Sequence, residues 1–468
     1  MAKLYNGKSC RDTQLQVFSK NLERFGKHHT HSGVIKIYST HLNSICTMKQ
    51  SIFFKTGKFF LSVVVLLIAF QAKSQNLPGG LTTQQVNAHV IDPVQLRGSI
   101  SDGNEQERSM PFVFRPQIKF NALPKLNVNA FGQEFHAKIK DQVTGYAMQL
   151  RQNGAPVYTL IWNFSKTPTD GGQGWKLDTR MHVASVSKFI TAVAMVKLLD
   201  SKGISLDAKI INYLPAHWAK GPKVDQVSFR QLLTHTSGFK TGTSSSNYAF
   251  MKQVVAIGAL TNGSYAYENM NFGLCRLLLA VINGNIPQNF NVGPMTDQVW
   301  DIIGISSYKQ YCQTNIFNPA GVANASFEPL PAFKNALAYK FPNLNQAGWD
   351  SGDLASMAGG AAWRLSVDDL LKVMDHVRRR NTIIPAGRAQ QVLDGNLGID
   401  QAIPTPAGTI YNKNGRWTSG GRTEQSVIYF MPNGMELVVL VNSPISVEGW
   451  SLRGIVKDLF IDNLVNPN

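Results

Sequence analysis

Cysteine is scarce: four residues in 468, at Cys10, Cys46, Cys275 and Cys312. They stand too far apart for a zinc ribbon or a C-x-x-C redox pair, which excludes a thiol-based metal site. Long apolar runs are also lacking. The longest, Phe59 to Phe70 (FFLSVVVLLIAF), falls short of the roughly 20 residues that a spanning helix needs. No glycine-rich nucleotide-binding motif and no metal-ligand spacing occur, so no cofactor and no metal are expected. Acidic residues are few, 29 against 46 Lys plus Arg, giving a net charge of +17. That excess would suggest a nucleic-acid binder if it were spread over the chain. Residues 1–74, however, hold 11 of the basic residues and only 2 of the acidic ones. Beyond them no basic stripe with interleaved aromatics is seen, so no nucleic-acid partner is expected. With 43% hydrophobic residues, the chain is neither disordered nor collagenous.

The basic segment has its own order. Met48 is followed by Lys49, Lys55 and Lys58, then the apolar run, then Ala72-Lys73-Ser74-Gln75. A basic stretch, a short apolar stretch and small residues two apart make a secretory signal peptide over residues 48–74; the alternative is an uncleaved anchor. Such a signal must be N-terminal to be read, so Met48 is expected to be the true start and residues 1–47 a non-native upstream extension. The expected location is periplasmic or secreted, with no stable membrane span once processed. Only Cys275 and Cys312 would survive processing. A disulfide between them is permitted in an oxidising compartment, and a buried free Cys275 on a helix is an equal alternative.

Residues 75–126 are rich in Pro, Asn and Gln and read as an extended leader or linker. A hairpin follows, Tyr146 to Gln152 and Val157 to Phe164, around the turn Asn153-Gly154. Helical patterns dominate from Val183 to about Leu397. Strands return at Thr409 to Trp417, Gln425 to Met431 and Glu436 to Asn442, with Asn433-Gly434 as a second turn. A last helix, Gly449 to Leu464, places Leu452, Val456, Leu459 and Phe460 on one face. Strands at both ends around a helical middle predict an α+β fold: an antiparallel sheet built from both ends of the domain, with flanking helices and an inserted helical domain.

The candidate nucleophile is Ser185, at the start of a helix expected to run to Ser201 with Phe189, Val193, Val196 and Leu199 inward. Spacing of i,i+3 sets Ser185 beside Lys188. A serine hydroxyl is a poor nucleophile at neutral pH, and a neighbouring desolvated amine can take its proton. The helix N-terminus also offers a backbone N–H to a developing oxyanion. Ser306-Ser307-Tyr308-Lys309 has the same spacing, but no apolar helix opens from it, and it is expected at the surface.

What surrounds Ser185 in order carries a resemblance. Ser185 and Lys188 form an S-x-x-K box. Then come Leu232-Leu233-Thr234-His235-Thr236-Ser237-Gly238, Tyr267-Glu268-Asn269 ahead of Asn271-Phe272-Gly273-Leu274, the small-residue turn Ala358-Gly359-Gly360, and Lys413-Asn414-Gly415. From about Gly145 to Val465 the chain resembles the serine beta-lactamase and penicillin-binding protein superfamily, in the branch of class C beta-lactamases, D-alanyl-D-alanine carboxypeptidases and related esterases. Each box alone is unspecific; the order is what counts.

The resemblance implies a secreted serine hydrolase domain over residues 127–468, acting through an acyl-enzyme on ester or amide substrates, small or peptidoglycan-like. It implies Ser185 as nucleophile, Lys188 as its proton acceptor or relay, and Tyr267 as general base and later acid. Asn269 would bind the substrate amide and the lysine. Lys413 would supply positive charge toward Tyr267 and a substrate carboxylate, and the backbone N–H groups of Ser185 and Arg416 would form the oxyanion hole. The third box departs from the family: Asn414 stands where relatives acting on beta-lactams carry Thr or Ser, so weak beta-lactamase activity at most is implied. A non-catalytic peptidoglycan- or penicillin-binding protein with the same fold is the alternative. His235 is expected to be a hydrogen-bonded interior imidazole, and Asp350 and Asp353 to be loop or cap residues.

Overall fold

Two Asn-Gly pairs set the ends of the central hairpins. Asn153 and Gly154 have φ of 52° and 83°, and Asn433 and Gly434 have 59° and 69°, the left-handed values that a two-residue turn between twisted strands requires. The turns lie side by side, with the Asn153 N–H donating to the Gly434 carbonyl at 2.9 Å. The computed structural model describes residues 77–91, 99–100, 122–240, 245–260, 263–342 and 345–467; the expectations for residues 1–74 lie outside these.

The strands are β1 (Ser99–Ile100), β2 (Lys125–Leu126), β3 (Gly145–Gln152), β4 (Ala155–Lys166), β5 (Gln173–Gly174), β6 (Met181–His182), β7 (Arg364–Leu365), β8 (Gln401–Thr405), β9 (Gly408–Ser419), β10 (Arg422–Met431), β11 (Met435–Val441) and β12 (Leu464–Val465). The main sheet has the order β1-β9-β10-β11-β3-β4-β5, with β8 also paired to β9. Its two halves come from opposite ends of the domain and join where β11 lies antiparallel to β3, Met435 opposite Gln152. The chain leaves the sheet after β5 and returns before β8. The excursion is tied at its base by β6 pairing with β7. The fold is α+β, with the helical insertion that the distribution of strands predicted.

Helices are α1 (Thr83–Ala88), α2 (Val128–Ile139), α3 (Ser187–Ser201), α4 (Phe229–Leu233), α5 (Tyr248–Ile257), α6 (Asn269–Ile282), α7 (Thr296–Cys312), α8 (Val367–Arg378), α9 (Ala386–Asp394) and α10 (Leu452–Asp462). Strand side chains alternate between two cores, as a period of two demands. Tyr146, Met148, Val427, Tyr429, Leu437 and Val439 face a smaller core closed by Phe131, Phe135 and Ile139 of α2 and by Ile455, Val456 and Leu459 of α10. Ala147, Ile428, Phe430, Val438 and Leu440 face the larger core, which takes in α3, α6 and α7.

Three elements differ from the sequence-based expectation. Helix α3 is buried on every side rather than along one stripe: Ile190, Ala194 and Leu198 are as buried as Phe189, Val193 and Val196, because α3 runs through the middle of the insertion, where there is no polar face to keep. Ser306 to Lys309 lies inside α7, where Ser307 and Tyr308 are buried, while Ser306 is exposed and Lys309 half-buried as expected. Within the Pro-rich segment, α1 is a helix with Thr82 and Gln85 in a reciprocal capping box. Val86 of α1 is buried, and His89 Nε2 meets Asp301 of α7 at 3.0 Å. Cys275 and Cys312 are both free and buried, so no disulfide joins them, and burial raises both thiols above their usual range.

Phe135 is fully buried and packs edge-to-face on Tyr146 at a centroid distance of 5.6 Å. Phe135→Ala in the full chain is expected to destabilise by about 3–5 kcal/mol, read as a lowered urea midpoint. A loss under about 1 kcal/mol would contradict the two-core description.

Candidate active site

Ser185 lies in a short 3-10 turn, Ala184–Val186, that feeds into α3. The preceding Ala184 has φ of 44°, a strained value for a residue with a Cβ, held only where the surroundings insist on it. They do: the Val183 N–H donates to the Trp363 carbonyl at 2.9 Å, and the Ser426 hydroxyl donates to the Val183 carbonyl at 2.7 Å. The turn thus fixes the direction of the Ser185 side chain.

Lys188 follows one turn later with no solvent exposure. A buried ammonium needs acceptors, and three surround it. Its Nζ donates to Ser185 Oγ at 2.9 Å, to Asn269 Oδ1 at 2.5 Å and to the Gly360 carbonyl at 3.0 Å. Asn269 opens α6. Gly360 belongs to the turn Ala358-Gly359-Gly360, where Gly359 has φ of 90° and a Cβ would stand 2.2 Å from the Phe272 carbonyl; only glycine fits there.

The Tyr267 hydroxyl donates to Ser185 Oγ at 2.6 Å. Two ammonium groups approach its ring, Lys188 Nζ at 4.8 Å and Lys413 Nζ at 5.3 Å from the centroid. On its other flank the Tyr267 ring stacks on His235 at 4.3 Å. His235 Nδ1 accepts the Glu268 N–H at 3.1 Å. Burial first, then the Lys188 and Lys413 charges, hold this imidazole well below its ordinary 6.5, so it serves as a neutral platform for the tyrosine.

The third box lies on β9. Backbone groups of an antiparallel strand point alternately to its two neighbours. The Asn412 carbonyl and the Asn414 N–H face away from β10, toward Asp400, so by the same parity the Arg416 N–H faces this outer edge. Among the described residues, β8 covers that edge up to Asn412 and β1 covers it at Trp417 and Thr418, leaving 413–416 between them. Gly415 lets the strand press on Ser185: a Cβ there would stand 2.3 Å from the Val183 carbonyl and 2.8 Å from the Ser185 nitrogen.

Lys413 does not wait for an external anion. Its Nζ meets Asp400 Oδ1 at 2.5 Å, and Asp400 Oδ2 accepts the Asn414 N–H at 2.9 Å. Burial lowers Lys413 below its usual range, opposed by Asp400. The Asn414 side-chain Oδ1 is buried with no hydrogen-bond partner. Burial also lowers the Arg416 guanidinium.

Sequence reasoning missed Asp400. The signal was Pro406-Ala407, the two-residue connection between Thr405 and Gly408. A hairpin closed there sets Gln401 opposite Asn412 and therefore Asp400 beside Lys413. It also missed His182, whose ring joins Glu424 and the Ala361 carbonyl beneath the small-residue turn. Asp350 accepts the Gly352 N–H and an Arg364 N–H, and Asp353 accepts the Ala355 N–H, as loop and cap residues do.

The neutral His235 has a thermodynamic consequence. Below about pH 6.5 the unfolded chain takes a proton that the folded chain refuses, so stability falls as pH drops, by at most about 1.4 kcal/mol per pH unit. Glu436, which burial raises from 4.5 to about 7, acts with the opposite sign: its contribution is present below about 4.5 and lost as pH rises through about 7. Urea midpoints between pH 5 and 8 separate them. His235→Asn should flatten the acid-side loss, and Glu436→Gln should remove a loss on the neutral side. Slopes identical to the parent's would contradict these environments.

The family model described as Beta-lactamase matches residues 128–453. Among solved structures the chain is similar to FmtA from Staphylococcus aureus, with 16% identity, a TM-score of 0.53, and 75% of this chain and 92% of that one covered. It is also similar to a beta-lactamase/D-alanine carboxypeptidase from Yersinia pestis, with 16% identity, a TM-score of 0.51 and 71% and 99% covered. A class C beta-lactamase from Rhodobacter sphaeroides gives 16%, 0.52, and 71% and 99%. Identities this low show the fold alone. Curated relatives described as fimbrial assembly protein FimD of Dichelobacter nodosus are 34% identical over 73 residues, so that the chain spans 18% of their length. With the family model matched over most of its length, the chain belongs to the beta-lactamase family.

Proposed function

We propose that the chain is a serine hydrolase that cleaves esters or amides through an acyl-enzyme on Ser185. The observation that carries this is the convergence of Lys188 Nζ and the Tyr267 hydroxyl on one serine oxygen, at 2.9 and 2.6 Å, inside hydrogen-bond reach for proton transfer. With one member of the Tyr267–Lys188 pair deprotonated, as phenolate or free amine, that member takes the Oγ proton as Oγ bonds to the substrate carbonyl carbon. The carbonyl oxygen gathers charge against the N–H groups of Ser185 and Arg416. The carbon–leaving-group bond then breaks, and the leaving oxygen or nitrogen takes the proton back from Tyr267. Water repeats the sequence on the acyl-enzyme and frees Ser185. Asn269 and the Gly360 carbonyl keep Nζ on the serine throughout.

Small activated esters are the proposed substrates, with D-alanyl peptides cleaved slowly, a range that matches the neighbour described as a beta-lactamase/D-alanine carboxypeptidase and another described as a hydrolase with promiscuous acyltransferase activity. With Asn414 in place of a hydroxyl residue, turnover of penicillins and cephalosporins is proposed to be feeble. Export is part of the proposal, supported by the basic and apolar succession after Met48.

A fluorophosphonate probe should label Ser185, as read by peptide mass spectrometry, and Ser185→Ala should abolish both labelling and p-nitrophenyl ester hydrolysis. Tyr267→Phe should fold and lose roughly 10²–10⁴ in kcat. Ser185→Ala hydrolysing as well as the parent would sink the assignment.

For export, N-terminal sequencing of material from the periplasm or medium should begin near Gln75. Cytoplasmic protein beginning at Met1 would overturn that part.

A further inference from the structure

Asp400 sits on the two groups that would receive an anionic acyl donor. It lies just before β8, and the β8–β9 hairpin register brings it beside the third box. One carboxylate oxygen is 2.5 Å from Lys413 Nζ, and the other accepts the Asn414 N–H at the outer edge of β9. Both side chains are withdrawn from solvent, Lys413 with 1% and Asp400 with 8% exposure, so water screens the pair little. Arg453 of α10 approaches the second oxygen at 3.6 Å, holding the carboxylate from a further side. Lys413 Nζ is also the ammonium that lies 5.3 Å from the Tyr267 ring, which places Asp400 at the margin of the reacting groups rather than in a remote ion pair.

We propose that Asp400 is a specificity-determining residue: an internal carboxylate that occupies the lysine and the strand-edge amide, so that the site takes uncharged acyl groups and turns away anionic ones. This rests on the reading of Ser185 as the acylated nucleophile. A donor carrying its own carboxylate would have to bring a second negative charge beside Asp400 in a poorly screened place, or displace Asp400 from two hydrogen bonds at once. Like charges brought together in this way select against a partner. A neutral acyl chain meets neither penalty.

The test uses two p-nitrophenyl esters of the same chain length, the pentanoate and the glutarate monoester, which differ by a terminal carboxylate. The full chain should show kcat/KM at least tenfold higher for the pentanoate. Asp400→Asn should narrow that ratio by tenfold or more, chiefly by raising the glutarate rate, and added salt should erode the gain. Lys413→Gln, which removes the cation and leaves Asp400, should keep or widen the parent's preference, and it stands in if Asp400→Asn fails to fold by circular dichroism. Equal or better use of the glutarate ester by the parent overturns the proposal. So does an unchanged ratio in folded Asp400→Asn, or a narrowed one in Lys413→Gln. Fluorophosphonate labelling of Ser185 is followed in parallel: labelling with the wrong ratios overturns only the role of Asp400, whereas no labelling and no hydrolysis of either ester overturns the acyl-transfer reading with it.

Discussion

An ammonium group with no access to water, at Lys188 in the first turn of a helix buried on every side, makes the demand that the rest of the site answers. Unpaired, such a charge costs several kcal/mol or loses its proton. Its acceptors come from three places far apart in sequence: Ser185 in the 3-10 turn that feeds the helix, Asn269 at the start of α6, and the Gly360 carbonyl. Each acceptor has support of its own. The Gly360 carbonyl depends on a turn that only glycine at 359 can make against the Phe272 carbonyl. That turn is held further by Thr191 Oγ1 donating to the Gly359 carbonyl at 2.6 Å and by Arg276 donating to the Ala358 carbonyl at 3.2 Å. Arg276 in turn meets Asp301, the residue that His89 reaches from the N-terminal segment. One buried charge therefore organises contacts from the catalytic turn out to α1.

The second determinant is where the sheet leaves an edge uncovered. A strand edge is ordinarily a liability, since its N–H and C=O groups invite another strand. Here β8 and β1 cover the outer edge of β9 on either side of residues 413–416, so the uncovered stretch coincides with the box beside Ser185. Strand parity then decides which amides face it. Moving the β9–β10 register by one residue would turn the Arg416 N–H inward and remove it from the site, so the Gly420-Gly421 turn that closes this hairpin opposite Ser419 and Arg422 bears on the chemistry.

Local rules made much of this legible in the sequence. Asn-Gly turns with strands on both sides announce hairpins, and the observed β3, β9, β10 and β11 fall within a few residues of the expected spans. The pairing of Ser185 with Lys188 follows from helical spacing, which is local too. What the sequence did not disclose depends on long-range packing. Helix α3 has hydrophobic residues all round, and nothing local says which flank meets α6 and which meets the sheet. In the α7 segment 306–309 the helix's neighbours bury Ser307 and Tyr308 while Ser306 stays exposed, a division that nothing local announces. The short β8, with Pro404 in it, lacks the alternation that marks a strand, so the hairpin that delivers Asp400 went unread. A backbone carbonyl such as that of Gly360 carries no sequence signature at all.

The charges in the site also explain why the fold leaves the choice of substrate open. Lys188 donates to a hydroxyl, an amide oxygen and a backbone carbonyl, and its nitrogen lies 4.8 Å from the centre of the Tyr267 ring. Lys413 has the opposite arrangement, with a carboxylate 2.5 Å away. The two lysines thus have different surroundings: one donates to Ser185 Oγ, and the other is half of an ion pair. His235 is held neutral beside Tyr267 first by its burial and then by the two nearby ammonium groups. In the proposed reaction, acylation depends on the first lysine and the tyrosine, and discrimination among acyl donors on what neutralises the second. That separation lets one scaffold serve different substrates without touching the nucleophile.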